Sequence, residues 1–423
     1  MLTAPQDHRE VQNQGANALA GKRVLIYAMN YVPELIGCGR YSGDIGAYLK
    51  SQGAMVEVVT TPPHYPEWRV RQGYRKGGYS SEILDGIRIH RCPLWLTKRV
   101  QGVGRAVAPL SFALSSMPVV IWRILRFRPH YVHCVEPTLF GAPAALAAAK
   151  LAGARTGLHV QDLEIDAAFA VGHVRGRFVK WLSFGMEQAA LKMFDSVITI
   201  SEKMRVKLAA KGVNDGRLVM MRNWVDTMHI YPTGGANRFR RELGLADDAF
   251  VALYAGTIGP KQALSLVMEA AKQVGDTAIT FVIAGDGTEK VSLVDQNLPN
   301  VKFLPLQPEE RLNELLNLAD VHLLPQMAGA ADLVLPSKLG GMLASGRPII
   351  AMTEVDTEIG QFLADEAILV PAGDVTGLAG QLRKAAAAHP HRRTDPRQSR
   401  ALAALDKATA MRTLTDVICG SIP

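Results

Sequence analysis

The 423 residues exceed what one hydrophobic core organises, so two domains are expected. With 48% hydrophobic and 20% charged residues the chain is globular, and its four cysteines (Cys38, Cys92, Cys134, Cys419) lie too far apart for a zinc site or a disulfide framework. A formal charge of +8 favours an anionic partner: nucleic acid, an anionic lipid surface or a phosphorylated substrate.

Residues 1–20 are polar, lack the apolar core of a signal peptide and read as a disordered lead-in. Lys22-Arg23 then leads into VLIYAMNYVPE, a strand of the buried parallel kind. A loop with Gly37, Cys38 and Gly39 precedes a helix over about 41–52 and a strand over 55–61. Pro33-Glu34 separates the first strand from the glycines, so the tight Gly-x-Gly-x-x-Gly turn of a dinucleotide site is missing. Gly37 and Gly39 suit close approach to a phosphate or sugar, or a plain βα turn. The segment Pro62–Trp68 is a semi-rigid loop whose Tyr65 and Trp68 either receive a sugar ring or pack on the domain.

The longest uncharged run, 106–122, is slightly short for a membrane span and is interrupted by Pro109 and Pro118. It reads as a buried helix or helix pair. With Arg123, Arg126 and Arg128 beyond it, it also reads as a basic-apolar patch resting on a membrane. Strands are expected at 87–91, 131–135 and 155–160, with an alanine-rich helix at 139–152. Gln161 and the carboxylates Asp162, Glu164 and Asp166 then fall at the C-terminal end of a strand, the functional edge of open α/β sheets; caps and solvated charges are the alternative. A helix over about 175–193, strands at 196–200 and 218–221, and a cap at Ser201 complete the first pattern, and a turn-rich linker runs over 231–238.

The pattern restarts with a strand at 250–255, the glycine loop Gly256-Thr257-Ile258-Gly259-Pro260-Lys261 and a helix to about 273. Strands at 280–284, 301–303, 321–324, 348–352 and 367–370 follow, with Gly285 and Gln307 in exit loops. Near Pro336-Ser337-Lys338 a helix is expected to begin, with proline in its first turn, serine as cap and a lysine beside free N–H groups. Such a start holds phosphate; an ordinary buried helix and turn is the alternative. Lys261 and Lys338 could meet at one crevice and hold a diphosphate.

Seven segments together carry a resemblance: NYVPELIGCGRYSG (30–43), TTPPHYPEW (60–68), RCPLW (91–95), LHVQDLEID (158–166), RNWVD (222–226), GTIGPKQAL (256–264) and GAADLVLPSKL (329–339). With them the chain resembles glycosyltransferase family 4, and within it the WcaI-type enzymes of colanic acid and related exopolysaccharide synthesis. The resemblance implies an α/β chain of the GT-B fold, two facing Rossmann-like domains with parallel sheets. It places an acceptor-side domain at 21–228, a sugar-nucleotide domain at 229–399 and a helical segment at 400–423 that crosses back to the first domain. The implied activity is transfer of a hexose-type sugar from a UDP- or GDP-linked donor to a polyprenyl-diphosphate-linked saccharide, with retention and without a metal or other cofactor. The implied location is cytoplasmic, peripheral on the inner face of the plasma membrane, with no nucleic-acid partner.

On this reading Lys261 stabilises the leaving diphosphate, with Gln161 and Asp162 also catalytic. Gly37, Gly39, Gly256, Thr257, Gly259, Gly285, Gln307, Asp332, Pro336, Ser337 and Lys338 hold the donor, and Tyr65, Trp68, Glu164 and Asp166 lie on the acceptor side. Thr257 stands where the family commonly has arginine, Gln161 where it often has histidine, and Leu333 and Gly341 near its usual glutamate pair. These departures bear on donor recognition. A sugar-nucleotide epimerase of the same fold and a catalytically weakened sugar-nucleotide-binding assembly protein are the alternatives.

Overall fold

A computed structural model describes residues 17–34, 37–65, 67–97, 104–163, 177–234, 237–246, 249–275, 278–327, 334–388 and 395–422, apart from the side chains of 104–106 and 177–182. The expectations placed on most of the lead-in, Glu164, Asp166, Asp332 and Leu333 lie outside the described residues. The chain divides into two compact units. Unit 1 is Met1–Met221 with Met411–Pro423, and unit 2 is Arg222–Ala410. The division therefore falls seven residues before the 228/229 boundary read from the sequence.

Unit 1 is built on eight strands: β1 (Arg23–Ala28), β2 (Met55–Thr60), β3 (Ser80–Leu84), β4 (Ile87–Arg91), β5 (Tyr131–Val135), β6 (Arg155–Val160), β7 (Ser196–Thr199) and β8 (Leu218–Met220). Their order is β3-β4-β2-β1-β5-β6-β7-β8. Every pair is parallel except β3–β4. That hairpin is the one strand pairing the sequence reading missed. The exposed edge strand β3 has no apolar alternation, although Asp85-Gly86, with both φ angles positive, is a hairpin turn signal. β1 and β5 are buried almost throughout because helices cover both faces. These helices are α1 (Cys38–Ser51), α2 (Gly104–Phe127), α3 (Ala142–Ala152), α4 (Arg177–Met193) and α5 (Glu202–Ala210). Ser201 caps α5 through Met204 N–H, as its position predicts.

α2 decides between the single helix and the helix pair that the sequence left open. It is one 24-residue helix that runs through both Pro109 and Pro118. An interior proline costs roughly 3 kcal/mol. Here the buried inner face, with Phe112, Val120 and Ile124 fully covered, offsets that cost.

Unit 2 carries six parallel strands in the order β11-β10-β9-β12-β13-β14. They are β9 (Phe250–Ala255), β10 (Ile279–Ala284), β11 (Val301–Leu304), β12 (Val321–Leu324), β13 (Ile349–Met352) and β14 (Ile368–Val370). The helices of the remaining chain are α6 (Arg238–Glu242), α7 (Leu264–Val274), α8 (Lys290–Val294), α9 (Glu309–Leu316), α10 (Leu339–Ala344), α11 (Glu358–Leu363), α12 (Val375–Ala387), α13 (Arg400–Ala404) and α14 (Lys407–Cys419). One core face gathers Leu253, Leu324, Leu339 and Met342, and the other gathers Tyr254, Leu264, Phe281 and Leu378. In both units the loops leaving the strand C-termini carry the residues singled out from the sequence.

Candidate functional site

In unit 1 a cavity of about 200 Å3 opens where β1, β5 and β6 end. Gly37, Tyr65, Trp68, Gln161 and Asp162, all singled out from the sequence, line it together with Asn30, His64 and Glu136. The aromatic wall is built by a buried carboxylate. Glu34 accepts hydrogen bonds from His64 N–H (2.8 Å), Tyr65 N–H (3.0 Å) and Asn30 Nδ2 (2.8 Å). Glu34 thereby ties the loop after β1 to the loop after β2. Gly39 serves this arrangement, since a Cβ there would lie 2.7 Å from the Glu34 Cβ. Gly37 has φ +63, and a Cβ would meet the Tyr65 ring at 3.3 Å. Sequence reasoning missed Glu34 because nothing local distinguishes a buried bracing carboxylate from a loop charge.

Trp68 adopts φ +50, a left-handed conformation that bulky residues rarely take. Its ring stands edge-on to His64 (6.2 Å) and Tyr65 (6.3 Å). The backbone strain is repaid by closing a three-ring wall. Burial pushes the His64 imidazole below its usual range, against the opposing pull of Glu34.

Behind the opposite wall lie His133 and His159, with rings 5.6 Å apart and no exposure. Burial pushes His133 down to about 4. Burial, then the neighbouring His133, holds His159 well below the histidine range. Both are neutral near pH 7, so neither supplies a proton there. His159 Nε2 lies 2.9 Å from the Gln161 amide nitrogen and so holds the carboxamide at the cavity wall. Asp162 is exposed and accepts from Leu163 N–H at 2.8 Å.

In unit 2 the glycine loops after β9 and β10 lie against each other. Ile258 N–H donates to the Asp286 carbonyl (2.8 Å), and Glu289 N–H donates to the Ile258 carbonyl (3.2 Å). A Cβ on Gly285 (φ +147) would sit 1.9 Å from the Gly256 oxygen, so only glycine fits. Lys338 approaches the same place: a Cβ on Gly256 would be 3.4 Å from its Cδ and 3.7 Å from its Nζ. Its ammonium lies 4.0 Å from the Tyr254 ring centre and forms no ion pair among the described residues. Although the residue as a whole is half-buried, burial of the ammonium pushes its pKa down to about 7. Lys261 is exposed in a short turn over Pro260–Gln262, and Met327 N–H donates to its carbonyl at 3.2 Å. Thr257 is exposed and its carbonyl accepts from the Tyr254 hydroxyl; Gly259 is buried and precedes the turn. The Gln307 amide donates back to Pro305 O at 2.9 Å.

The helix expected at Pro336-Ser337 begins later. α10 starts at Leu339, Lys338 occupies the cap position, and no side chain caps it. Pro336 instead accepts from Leu339 N–H (3.0 Å) in a turn, and Ser337 is exposed. The Lys338 side chain instead lies against Tyr254 and Gly256. Lys338 therefore reaches this site as a side chain, not as a neighbour of a capped helix start.

Residues 37–224 match the family described as glycosyl transferase 4-like domain, and residues 249–387 match glycosyl transferases group 1. The chain is 38% identical over 376 residues to the "Putative colanic acid biosynthesis glycosyl transferase WcaI" of Escherichia coli (strain K12), covering 86% of this chain and 92% of that protein. It is 28% identical over 142 residues to the alpha-galactosylglucosyldiacylglycerol synthase of Streptococcus pneumoniae, covering 31% of this chain and 37% of that one. Among solved structures, sucrose-phosphate synthase from Thermosynechococcus elongatus aligns with a TM-score of 0.68 at 15% identity, over 95% of this chain and 99% of that chain. Anabaena HepE in complex with UDP aligns with a TM-score of 0.65 at 14% identity, over 94% and 100%.

Proposed function

The chain belongs to the family-4 glycosyltransferases, and from that membership we propose that it moves a hexose-type sugar from a UDP- or GDP-linked donor to a polyprenyl-diphosphate-linked saccharide in exopolysaccharide biosynthesis, with retention. The observation that carries this reading is the similarity to a protein named for colanic acid biosynthesis, which extends over 86% of the chain. The UDP complex of HepE, a protein of like fold, supports a nucleotide-sugar donor.

The donor diphosphate is assigned to unit 2, where Lys338 lies against the paired glycine loops and Lys261 is exposed in the turn that follows the first of them. The acceptor sugar is assigned to the unit 1 cavity, with Tyr65 and Trp68 against its ring and Gln161, Asp162 and Glu136 toward its hydroxyls. In the transfer step an acceptor hydroxyl oxygen bonds to the anomeric carbon. The carbon–phosphate oxygen bond breaks, its electron pair stays on the diphosphate, and that oxygen takes the hydroxyl proton. Lys261 stabilises the charge that builds on the leaving group, which is worth about 100-fold or more in rate.

The outer face of α2 supports a peripheral place on the inner face of the plasma membrane. Leu110, Leu114, Met117, Trp122 and Leu125 are all exposed along one side of a helix about 36 Å long. Arg126 and Arg128 stand exposed at its end, whereas Arg123 does not belong to this patch. Arg123 is buried, donating through Nε and a terminal amine to Glu57 on β2.

Mass spectrometry tests the reading directly. Protein incubated with UDP- and GDP-sugars and a polyprenyl-diphosphate saccharide extract should add one sugar mass to the lipid-linked product. Donor binding with neither transfer nor isomerisation would instead support a binding protein. Lys261→Ala should lower turnover about 100-fold at unchanged melting temperature, and near-normal transfer would remove Lys261 from the site.

A further inference from the structure

We infer that the basic loop of residues 69–76 is a phosphate-recognising rim on the unit 1 cavity, which takes the diphosphate of a lipid-linked acceptor while the sugar lies against Tyr65 and Trp68. This inference rests on the reading of that cavity as the acceptor site. The loop carries Arg69, Arg71, Arg75 and Lys76, all exposed, and the one acidic residue beside them is Glu67. Among the described residues none of the four cations pairs with a carboxylate, although Arg and Lys elsewhere on unit 1 do so repeatedly. Four unpaired cations in eight residues form a strong local field toward a polyanion.

The backbone places this field at the cavity. Trp68, itself a wall of the cavity, turns the chain at φ +50. Immediately after it, Arg69 N–H donates to His64 O (3.2 Å) and Arg71 N–H donates to Pro63 O (2.9 Å). The loop is therefore folded back on the segment that carries the aromatic wall. The Arg71 guanidinium donates to Pro33 O at 3.3 Å, so it reaches the loop after β1 that carries Glu34, the brace of the aromatic wall. At the far end Tyr74 is anchored under the buried Arg91, whose guanidinium lies 4.9 Å from the Tyr74 ring centre. Arg91 also donates to Thr61 O (2.8 Å) and Val32 O (2.9 Å), so one buried cation braces both cavity loops and the end of the basic loop. The loop is thus held at both ends, with its charges outward.

The chemistry fits a diphosphate better than a single carboxylate. Planar guanidinium groups engage phosphate oxygens in pairs, and three arginines outnumber the single lysine. Beyond the loop, the exposed Tyr79 donates its hydroxyl to Ser115 O on α2 at 2.9 Å. The segment that follows the basic loop is therefore tied to α2. A lipid whose tail lies along α2 would present its diphosphate at the loop and its sugar at the cavity.

The test measures binding of farnesyl diphosphate and farnesol to the full chain by isothermal titration, with the protein as it stands, as Arg69→Gln/Arg71→Gln/Arg75→Gln, and as Lys261→Ala. The unchanged protein should bind farnesyl diphosphate in a salt-sensitive manner. The triple variant should bind it at least tenfold more weakly, and Lys261→Ala should bind it normally. Sedimentation with phosphatidylglycerol vesicles is measured in parallel and should change little. Equal farnesyl diphosphate binding by the triple variant and the unchanged protein overturns the inference, as does loss on Lys261→Ala alone. Loss of vesicle sedimentation with unchanged farnesyl diphosphate binding also overturns it, reassigning the loop to lipid headgroups. Because Arg71 also touches Pro33, the single variant Arg75→Gln is included; it should weaken farnesyl diphosphate binding measurably at an unchanged melting temperature. If the triple variant loses the ligand but the unchanged protein transfers no sugar to any lipid-linked acceptor, the rim stands and the transfer reading fails.

Discussion

The charge of Lys338 depends on its surroundings. Burial lowers its pKa to about 7, so in the folded protein it loses its proton well below the ordinary lysine range. Between pH 7 and the unfolded value the unfolded chain binds more protons, so this group's contribution makes stability rise with pH across that window; below pH 7 the burial penalty is fully present. Lys338→Met should therefore stabilise the protein in urea titrations at pH 6 and have little effect near pH 10. A bound diphosphate reverses the sense, because it favours the protonated amine. Nucleoside diphosphate affinity should fall as pH rises above 7, by up to about tenfold per unit, and binding at pH 8 should take up a proton. Calorimetry in buffers of different ionisation heat reads that proton; no uptake would place the anion away from Lys338. Gly285 makes a second prediction at this scale. Gly285→Ala drives a methyl into the Gly256 carbonyl at a positive φ, and should cost about 2 kcal/mol or more in urea unfolding.

At the scale of the element, α2 carries two opposed demands on one helix. Its inner face is core, and Arg123 on that face neutralises the buried Glu57. Burial alone would raise the Glu57 carboxyl, but His90, 3.6 Å away, and the hydrogen-bonded Arg123 guanidinium together hold it below its ordinary value. Arg123→Ala should destabilise unit 1 by about 3–5 kcal/mol, because Glu57 is left buried without its partner. Its outer face predicts the converse. Leu114→Glu with Trp122→Glu should abolish sedimentation with anionic vesicles while leaving the melting temperature nearly unchanged, since both side chains are exposed. Retained sedimentation would reject the membrane role of α2. Here the sequence was half legible. The apolar run and the trailing arginines were visible, but a run apolar on both sides has no period that tells inside from outside. Which arginine turned inward depended on Glu57, 66 residues away. The same applies to Glu34, whose backbone partners His64 and Tyr65 lie 30 and 31 residues on.

At the scale of the whole molecule, the last helix belongs to both halves of the chain. α14 begins at Lys407 in unit 2 and continues from Met411 to Cys419 in unit 1. There Met411, Leu414, Val417 and Ile418 are buried, Thr415 meets the Tyr48 hydroxyl at 2.9 Å, and Arg155 donates to Val417 O at 3.0 Å. Four such side chains contribute roughly 1.5–3 kcal/mol each, comparable to the whole stability of a domain. Deleting residues 411–423 should remove the unit 1 transition in scanning calorimetry and leave that of unit 2. Two unchanged transitions would show that the segment is dispensable to unit 1.

The sequence by itself determined the two α/β patterns, most strand positions, the glycine loops and the family, because each is written in local periodicity or in short motifs that survive without their surroundings. The tertiary structure decided which charges are paired and which are presented: Arg123 inward on Glu57, Glu34 bracing the aromatic wall, Lys338 folded back to Tyr254 instead of flanking a capped helix, and Arg69, Arg71, Arg75 and Lys76 left exposed. The reason is physical. A strand or a turn is fixed by neighbours a few residues away, whereas the energy of a charge is set by burial and by partners that only the folded chain brings within reach.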